Sequence, residues 1–241
     1  MILLSKEEFI ATKSSDTLAL LGSGYSINSI SRFGWEYIIN ECDSIAFNYF
    51  YKYKRIDIIP TYYLIDEHGV NPKKITPNTT AQDVIDHVRA KYLIIKNRNN
   101  PNEIVNYARD HEVFKQSGII VNQLHKNGKY EDLDKDFYSD GVYSGKSCIF
   151  NGIHLGIWNN YKRVILYGVD LYDMRYCWMP YNEEWECVTV DGKSMHDQHP
   201  QAIAIVERMA AISQRYPGTE FCIHNPRSLL AGVLPLWNVF Q

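Results

Sequence analysis

Short, continuously apolar runs recur along the 241 residues of this chain, and they constrain its fold more than any other feature. Strands with one solvated face alternate apolar and polar residues, whereas strands buried on both faces of a parallel sheet are apolar throughout. We therefore predict buried strands at Thr17–Leu21, Ser44–Phe47, Thr61–Ile65, Tyr92–Lys96, Gly118–Val121, Arg163–Tyr167 and Glu220–Ile223.

Helical patterns separate these runs. Apolar residues recur at helical spacing in Ala81–Arg89, Asn102–Asp110, Lys146–Trp158 and Gln201–Arg215. Alternation of strands and helices over the whole length is typical of α/β proteins. The sequence thus predicts one domain over residues 1–241, built on a single doubly wound, mostly parallel, Rossmann-like sheet.

Charge and cysteine content exclude several classes of protein. The chain carries 25 Lys+Arg against 28 Asp+Glu, a net charge of −3, so nucleic acid is not an expected partner. Its five cysteines form no C-x-x-C pair, which argues against a disulfide framework and a zinc site and favours a reducing cytoplasmic compartment. The first residues do not resemble a signal peptide, and no run of about 18 apolar residues occurs.

The most apolar segment is the tail, SLLAGVLPLWNVFQ, which Pro235 interrupts. We predict that this tail forms a helix packed on the body of the protein. Peripheral contact with the inner face of the cell membrane is the alternative.

One stretch departs from the alternation of strands and helices. Residues 173–198 read DMRYCWMPYNEEWECVTVDGKSMHDQ, rich in aromatic and acidic residues and without a clean period. A structureless segment of this length inside a compact domain is usually a lid or a binding loop. We predict a flexible lid at about residues 173–198; a surface insertion without function is the alternative.

Ligands of doubly wound sheets bind at the carboxyl ends of the strands, so the residues after each strand are the candidate site. The first strand runs into Gly22–Ser26, where Gly24 allows close approach and the amide groups suit a phosphate. Ser26 is placed to cap a following helix. Ile27 stands where a dinucleotide fingerprint has its third glycine, so NAD is not indicated. A plain strand-to-helix turn is the alternative interpretation.

Polar side chains also follow other strands. Asn48 comes after the second strand and Asp66 after the third, while Asp170 and Tyr172 come after the RVILY strand. Short polar side chains at successive strand ends can contact ribose hydroxyls or the edge of a base, although each taken singly is as well explained as a helix cap. With the glycine turn they outline a mononucleotide crevice.

The segment GVYSGKS, residues 141–147, is similar to a Walker A loop but is one residue too short between its glycine and the Gly-Lys pair. Phosphate-loop chemistry on ATP is therefore not predicted. Ser144 and Gly145, at the start of a helix, still offer a hydroxyl and backbone amides to an anion.

Two pairs of residues are candidates for catalysis. Tyr172 and Tyr176 could donate hydrogen bonds to a departing phosphate without a metal, although a single tyrosine is as well explained by packing. His196 and His199 precede the helix at Gln201–Arg215, and a histidine titrates near neutrality, as a base that deprotonates a hydroxyl must. Two histidines without a third clustered ligand are weak evidence for a metal site, so no metal is predicted.

The order of these motifs resembles the bacterial sialyltransferases that build host-mimicking lipooligosaccharides. The resemblance spans nearly the whole chain and is most specific in ILYGVDLY and NPRSLLA, residues 165–172 and 225–231. It implies a GT-A-like fold with a lid, no cofactor, a homo-oligomer, and metal-independent, inverting transfer of a sialic-acid-like sugar from a CMP-sugar to the hydroxyl of an acceptor glycan.

The resemblance also implies roles for individual residues. Tyr172 and Tyr176 would stabilise the leaving phosphate, and His199, or else His196, would be the base. The nucleotide and donor sugar would contact Ser23, Gly24, Ser26, Asn48, Asp66, Ser144, Gly145 and Asp170.

Three positions depart from the pattern of that family. Ser23 replaces an asparagine, Tyr25 a proline, and Gly141 the arginine expected before the serine–glycine pair. These departures bear on the identity of the donor sugar more than on the nucleotide fold. Two other functions stay open: an ATP- and magnesium-dependent pyrophosphokinase of related fold, and a non-catalytic module that binds sugar nucleotides or glycans.

Overall fold

The computed structural model describes residues 2–66, 87–97, 116–122, 124, 130–145, 147–172, 176–178 and 200–238. Within them the chain forms one sheet of eight strands, all parallel. The strands are β1 (Ile2–Leu3), β2 (Thr17–Leu21), β3 (Asp43–Phe47), β4 (Tyr62–Asp66), β5 (Tyr92–Asn97), β6 (Ser117–Asn122), β7 (Arg163–Tyr167) and β8 (Glu220–Ile223). The predicted α/β class and every predicted strand are confirmed; only the short edge strand β1 was not predicted.

The strand order creates a boundary between β2 and β7. Across the sheet the strands follow the order β1-β6-β5-β4-β3-β2-β7-β8, so the chain winds outward from β2 in one direction and then returns to place β7 on its other side. A crevice opens outside the carboxyl ends of the strands where the winding direction reverses. The fold thus locates the candidate site at the ends of β2 and β7.

Apolar side chains of alternating strand residues build one core on each face of the sheet. Leu18 and Leu20 of β2 point to the face covered by α3 (Ile149–Trp158) and α4 (Pro200–Arg215). Ala19 and Leu21 point to the face covered by α2 (Arg32–Glu41). Because both faces are covered, the strands carry no polar alternation, as the sequence indicated.

The helices agree in part with prediction. α3 and α4 confirm two predicted helices, with α3 beginning three residues later than expected. The predicted helix at Asn102–Asp110, and most of the one at Ala81–Arg89, lies outside the described residues. The structure adds α1 (Lys6–Ile10), whose cap Ser5 and third residue Glu8 bond each other's backbone amides, and α2.

The prediction of a helical tail is wrong. Leu229–Gly232 forms a short 3-10 turn capped by Ser228, after which the chain runs alongside β8, with Leu236 bridging Ile223. Pro235 cannot donate an amide hydrogen bond, and its carbonyl accepts from the Ile223 amide at 3.0 Å instead. No helix in the described part of the chain has the length and apolar character needed to cross a membrane.

Candidate functional site

The turns that follow β2 and β7 are packed directly against each other. The amide of Gly22 donates to the carbonyl of Tyr167, and the amide of Gly24 donates to the carbonyl of Gly168, each at 2.8 Å. A β-carbon on Gly24 would lie 2.6 Å from both the Gly168 carbonyl oxygen and the Asp170 carboxylate. These glycines are therefore required by the packing of one turn on the other, whether or not a ligand binds.

The Asp170 side chain links the two turns by hydrogen bonds. One carboxylate oxygen accepts from the Ser26 amide at 2.9 Å, and the other accepts from the Asn225 side chain at 2.8 Å. The carboxyl group is buried. Its negative charge thus lies at the backbone of the glycine turn and is held by protein donors, so the contact of Asp170 with a nucleotide stays a prediction.

Ser26 does not cap a helix, contrary to the sequence interpretation. It lies inside a 3-10 turn, Tyr25–Ser29, that begins at Gly24 without a side-chain cap, and α2 is capped by Ser31 instead. The Ser26 hydroxyl oxygen is buried without a hydrogen-bond partner in the described structure. The backbone amide of Ser26, rather than its hydroxyl, makes the structural contact: it donates to Asp170 and thereby orients the turn.

Tyr172 lies at the end of a strained turn after β7. Gly168 and Leu171 both have positive φ, 63° and 61°, and this conformation is unusual for leucine. The Tyr172 hydroxyl accepts from Asn225 at 3.3 Å, and the Arg227 guanidinium lies 5.2 Å from the centre of its ring. These contacts hold a buried tyrosine at the strand end where the sequence predicted one.

Tyr176 lies over the glycine turn. Tyr176 bridges Gly24, and the Cys177 amide donates to the Ser23 carbonyl at 2.9 Å. Its ring stacks on Trp178, with centroids 4.6 Å apart and planes 3° from parallel, and is 44% exposed. The structure thus brings Tyr176 beside Ser23 and Gly24, as expected for members of one site.

A second group of predicted residues meets near the ends of β3 and β5. Asn48 adopts a left-handed conformation, φ 44°, directly after β3, and its side chain donates to the sulfur of Cys148 at 3.1 Å. Cys148 lies just beyond Gly145, so Asn48 is tied to the turn that contains Ser144. Gly145 also has positive φ, 44°, and a β-carbon there would meet the ring of Phe150.

Ser144 is held by two buried polar side chains that the sequence analysis did not identify. Lys96, at the end of β5, donates to the Ser144 hydroxyl oxygen at 3.3 Å and to the Asn151 amide oxygen at 3.2 Å. Asn151, in α3, donates to the Ser144 hydroxyl oxygen at 3.2 Å and to the Tyr143 carbonyl at 2.7 Å. Burying such a network of polar groups at the carboxyl edge of a sheet destabilises the fold unless every group has a hydrogen-bond partner.

His154 supports the same turn from the next turn of α3. Its Nδ1 accepts from the Tyr143 amide at 3.0 Å, and Nε2 lies 3.0 Å from the Lys135 carbonyl. Burial lowers the pKa of His154 to about 4, although the Lys135 carbonyl and nearby carboxylates act in the opposite direction. The ring is therefore neutral near pH 7 and serves as a structural support for residues 143 and 144.

Several predicted site residues are described only in part or not at all. Asp66 is the last residue of β4 rather than the first after it, and pairs in register with Lys96, with no description of its side chain. His196 and His199 lie outside the described residues, as does most of the predicted lid at 173–198. Within the described ranges, no three His, Cys, Asp or Glu side chains are grouped in a way that could hold a metal ion.

Of the comparisons with known proteins, the one with solved structures gave matches, and these concern the fold. The sequence matches no protein-family model and no curated protein. A variant of the sialyltransferase CstII in complex with CMP superimposes with a TM-score of 0.54 at 12% identity, covering 91% of this chain and 85% of that chain. CstII with a trisaccharide acceptor and CMP gives 0.50 at 15% identity, covering 91% and 85%. The α-2,3-sialyltransferase Cst-I from Campylobacter jejuni gives 0.52 at 15% identity, covering 98% and 82%.

The chain has the fold of the sialyltransferases. The match covers most of both chains: 91% of this chain for the CstII variant and 98% for Cst-I. At identities of 12 and 15% this likeness concerns the fold. It confirms the resemblance seen in the sequence at that level.

Some residues of this candidate site could have been found from sequence and others could not. Asn225 begins NPRSLLA, the segment that carried part of the resemblance, but only the structure reveals its bonds to Asp170 and Tyr172. Lys96 is the last residue but one of a strand that is otherwise mostly apolar, and this is the sequence signal for a buried charge near a strand end. Asn151 stands within a helix and has no local signal, because its partners lie in other elements.

Proposed function

We propose that this protein is an inverting glycosyltransferase that moves a sialic-acid-like sugar from a CMP-sugar donor to an acceptor glycan hydroxyl, without a metal ion. One observation carries the proposal: the carboxyl edge of a sialyltransferase-type sheet gathers the Gly22–Ser26 turn, Tyr172 and Tyr176 at the point where the strand order reverses. This is the position at which doubly wound sheets bind nucleotides.

The donor would bind between two groups of residues. The turn that holds Ser23, Gly24 and Ser26 would lie near the nucleotide phosphate, with the Gly22, Gly24 and Ser26 amides donating within the protein and Asp170 fixing the orientation of that turn. Asn48 and Ser144, linked through Cys148 and the turn at Gly145, would contact the nucleoside and the donor sugar. Their rigid placement supports the proposal, because a held geometry lowers the cost of orienting a substrate.

The reaction would proceed by a single displacement. His199, or His196, would take the proton of the acceptor hydroxyl as its oxygen attacks the anomeric carbon. The bond from that carbon to the phosphate oxygen would break, and CMP would leave with its added negative charge. Hydrogen bonds from Tyr172 and Tyr176 would stabilise that charge, and such groups are most effective where water is excluded.

Metal independence is part of the same proposal. In place of a cation, tyrosyl hydroxyls would stabilise the charge of the leaving group. The Asp170 carboxylate would serve to orient the glycine turn, through its bonds to the Ser26 amide and the Asn225 side chain.

A ligand panel tests the proposal. Thermal unfolding is measured with CMP, CDP, UDP, GDP and ATP, each with Mg²⁺ and with EDTA, because a ligand that binds the folded state raises the melting temperature. We expect stabilisation by CMP in both conditions. Stabilisation by ATP and Mg²⁺ alone would instead indicate a pyrophosphokinase.

A second assay separates an enzyme from a binding module. The protein is incubated with CMP-N-acetylneuraminic acid in EDTA, with and without a galactose-terminated acceptor, and released CMP is quantified. We expect release that the acceptor accelerates. Binding of the donor without any release of CMP would identify a non-catalytic module.

A further inference from the structure

In the buried network around Ser144, the donor and the acceptor of each hydrogen bond can be assigned. Lys96, Ser144 and Asn151 are 1%, 5% and 0% exposed, so their polar groups are shielded from bulk solvent. The Asn151 nitrogen must face the Tyr143 carbonyl, 2.7 Å away, because that carbonyl can only accept. The Asn151 oxygen therefore faces Lys96, whose ammonium group can only donate.

This assignment determines which further hydrogen bond the Ser144 hydroxyl can make. Its oxygen accepts from the Asn151 nitrogen at 3.2 Å and from Lys96 at 3.3 Å. A hydroxyl oxygen has two acceptor positions, and these two donors fill both. Nothing in the described part of the chain accepts the hydroxyl hydrogen of Ser144. The remaining capacity of Ser144 is thus a single donated hydrogen bond.

We infer that Lys96 and Asn151 are positioning residues that set the Ser144 hydroxyl to donate to an anionic oxygen of the donor. The inference rests on the proposed function and adds two residues to it. A nearby ammonium group also makes the hydroxyl a stronger donor, since it polarises the bond in a site shielded from water. The anionic oxygen belongs either to the carboxylate of the sugar or to the phosphate of CMP.

A double-mutant cycle tests the inference. Affinities for cytidine, CMP and CMP-N-acetylneuraminic acid are measured by calorimetry for the wild type, Ser144→Ala, Lys96→Met and the double variant. We expect each single variant to lose about tenfold or more in affinity for the anionic ligand, since a hydrogen bond to a charged group is lost or weakened. Lys96→Met should cost little further affinity when Ser144 is already alanine, because Lys96 acts through Ser144.

The three ligands distinguish the sources of the anion. If the variants already lose affinity for CMP, Ser144 donates to the phosphate. If they lose affinity for the CMP-sugar alone, Ser144 donates to the carboxylate. Cytidine affinity should be unchanged in every variant. Lys162→Met, which removes an exposed lysine paired with Asp16 at the amino end of β7, is the matched control and should bind all ligands as the wild type does.

A second variant covers the case in which Lys96→Met does not fold. Lys96→Gln keeps a side chain that can donate to the Ser144 hydroxyl oxygen but removes the charge, so Ser144 stays oriented as a weaker donor and affinity should fall by less than in Ser144→Ala. Equal effects of Lys96→Met in both backgrounds, or unchanged affinities in folded variants, would overturn the inference alone. A wild type that binds none of the three ligands would overturn the proposed function.

Discussion

Gly22 and Gly168 face each other across the boundary between β2 and β7, and neither position has room for a β-carbon. A β-carbon on Gly168 would lie 2.7 Å from the Gly22 carbonyl oxygen, and one on Gly22 would overlap the Gly168 carbonyl. The two turns that border the proposed donor site are therefore in backbone contact. The fold thus sets the distance between the two turns, and any ligand at this site must fit that distance.

Alanine at these glycines should destabilise the protein. We expect Gly22→Ala to lower the free energy of unfolding by about 1–3 kcal/mol through overpacking. Gly168→Ala should cost about 1–2 kcal/mol more, because its φ of 63° is left-handed. Urea denaturation measures both. Gly218→Ala is the control, since no atom of the described residues would lie within 4 Å of a β-carbon at that position; equal stability of all three variants would contradict the packing argument.

Asp170→Asn should weaken CMP binding through the turn. An amide can accept from only one of the two donors, the Ser26 amide and the Asn225 side chain, so one of them is left opposed to another N–H group. We expect a loss of about 1–3 kcal/mol in stability and a lower CMP affinity. Asp16→Asn, on the surface at the amino edge of the sheet, should leave CMP affinity unchanged. Unaltered affinity in a folded Asp170→Asn would show that the turn is held by other contacts.

Two substitutions at Asn48 separate backbone strain from ligand contact. Asn48→Gly accommodates the φ of 44°, whereas Asn48→Ala should lower the free energy of unfolding by about 1 kcal/mol. If the side chain contacts the donor, both variants lose affinity for the CMP-sugar to a similar extent. Calorimetry and denaturation on the same samples give the two readouts; full affinity in Asn48→Gly would remove Asn48 from the site.

His154 should make the protein less stable below pH 6.5. Its pKa falls from 6.5 to about 4 on folding because the ring is buried, so between these values the unfolded chain binds a proton that the folded protein excludes. The free energy of unfolding therefore decreases as the pH falls through this window and levels off below pH 4. The full loss is on the order of 3 kcal/mol.

Denaturation at pH 7.5 and pH 5 checks this effect. We expect the wild type to lose more stability between the two values than His154→Gln, whose amide can replace both hydrogen bonds without titrating. Parallel losses in the two proteins would mean that other groups govern the acid sensitivity.

His199→Ala should reduce turnover by about 10²–10⁴-fold and leave CMP affinity nearly intact, since a general base acts on the acceptor and not on the nucleotide. Release of CMP under saturating donor measures turnover. Loss of activity in His196→Ala but not in His199→Ala would assign the base to the other histidine. Full activity in both variants would rule out the proposed mechanism.

The sheet was predictable from sequence because its strands are buried on both faces and therefore continuously apolar. α2 was not predicted, because Phe33 and Ile39 lie exposed on its outer side and obscure the period that Trp35 and Ile38 set. The tail was predicted wrongly because its apolar composition outweighed the effect of Pro235. Local pattern identifies burial well, but not which secondary structure an apolar segment adopts when a proline interrupts it.

The candidate site, like the fold, was predicted only in part from the sequence. Strand ends could be located from the apolar runs, so Ser23, Asn48 and Tyr172 were expected at the carboxyl edge of the sheet, where the structure places them. The partners that hold them were not found, since the Ser26 amide lies 144 residues from Asp170, and Lys96 lies 55 residues from Asn151. Pairings over such distances leave no periodic signal, and only the folded chain brings them together.

The position of β7 beside β2 also has a consequence for biosynthesis. While the ribosome is still translating the first two-thirds of the chain, β2 can pair with β3 on one side only, and its other edge keeps unpaired amide and carbonyl groups. Contacts of such long sequence separation form slowly. The edge of β2 in the nascent chain therefore stays open to pairing with other chains until β7 emerges, and unpaired strand edges of this kind favour aggregation.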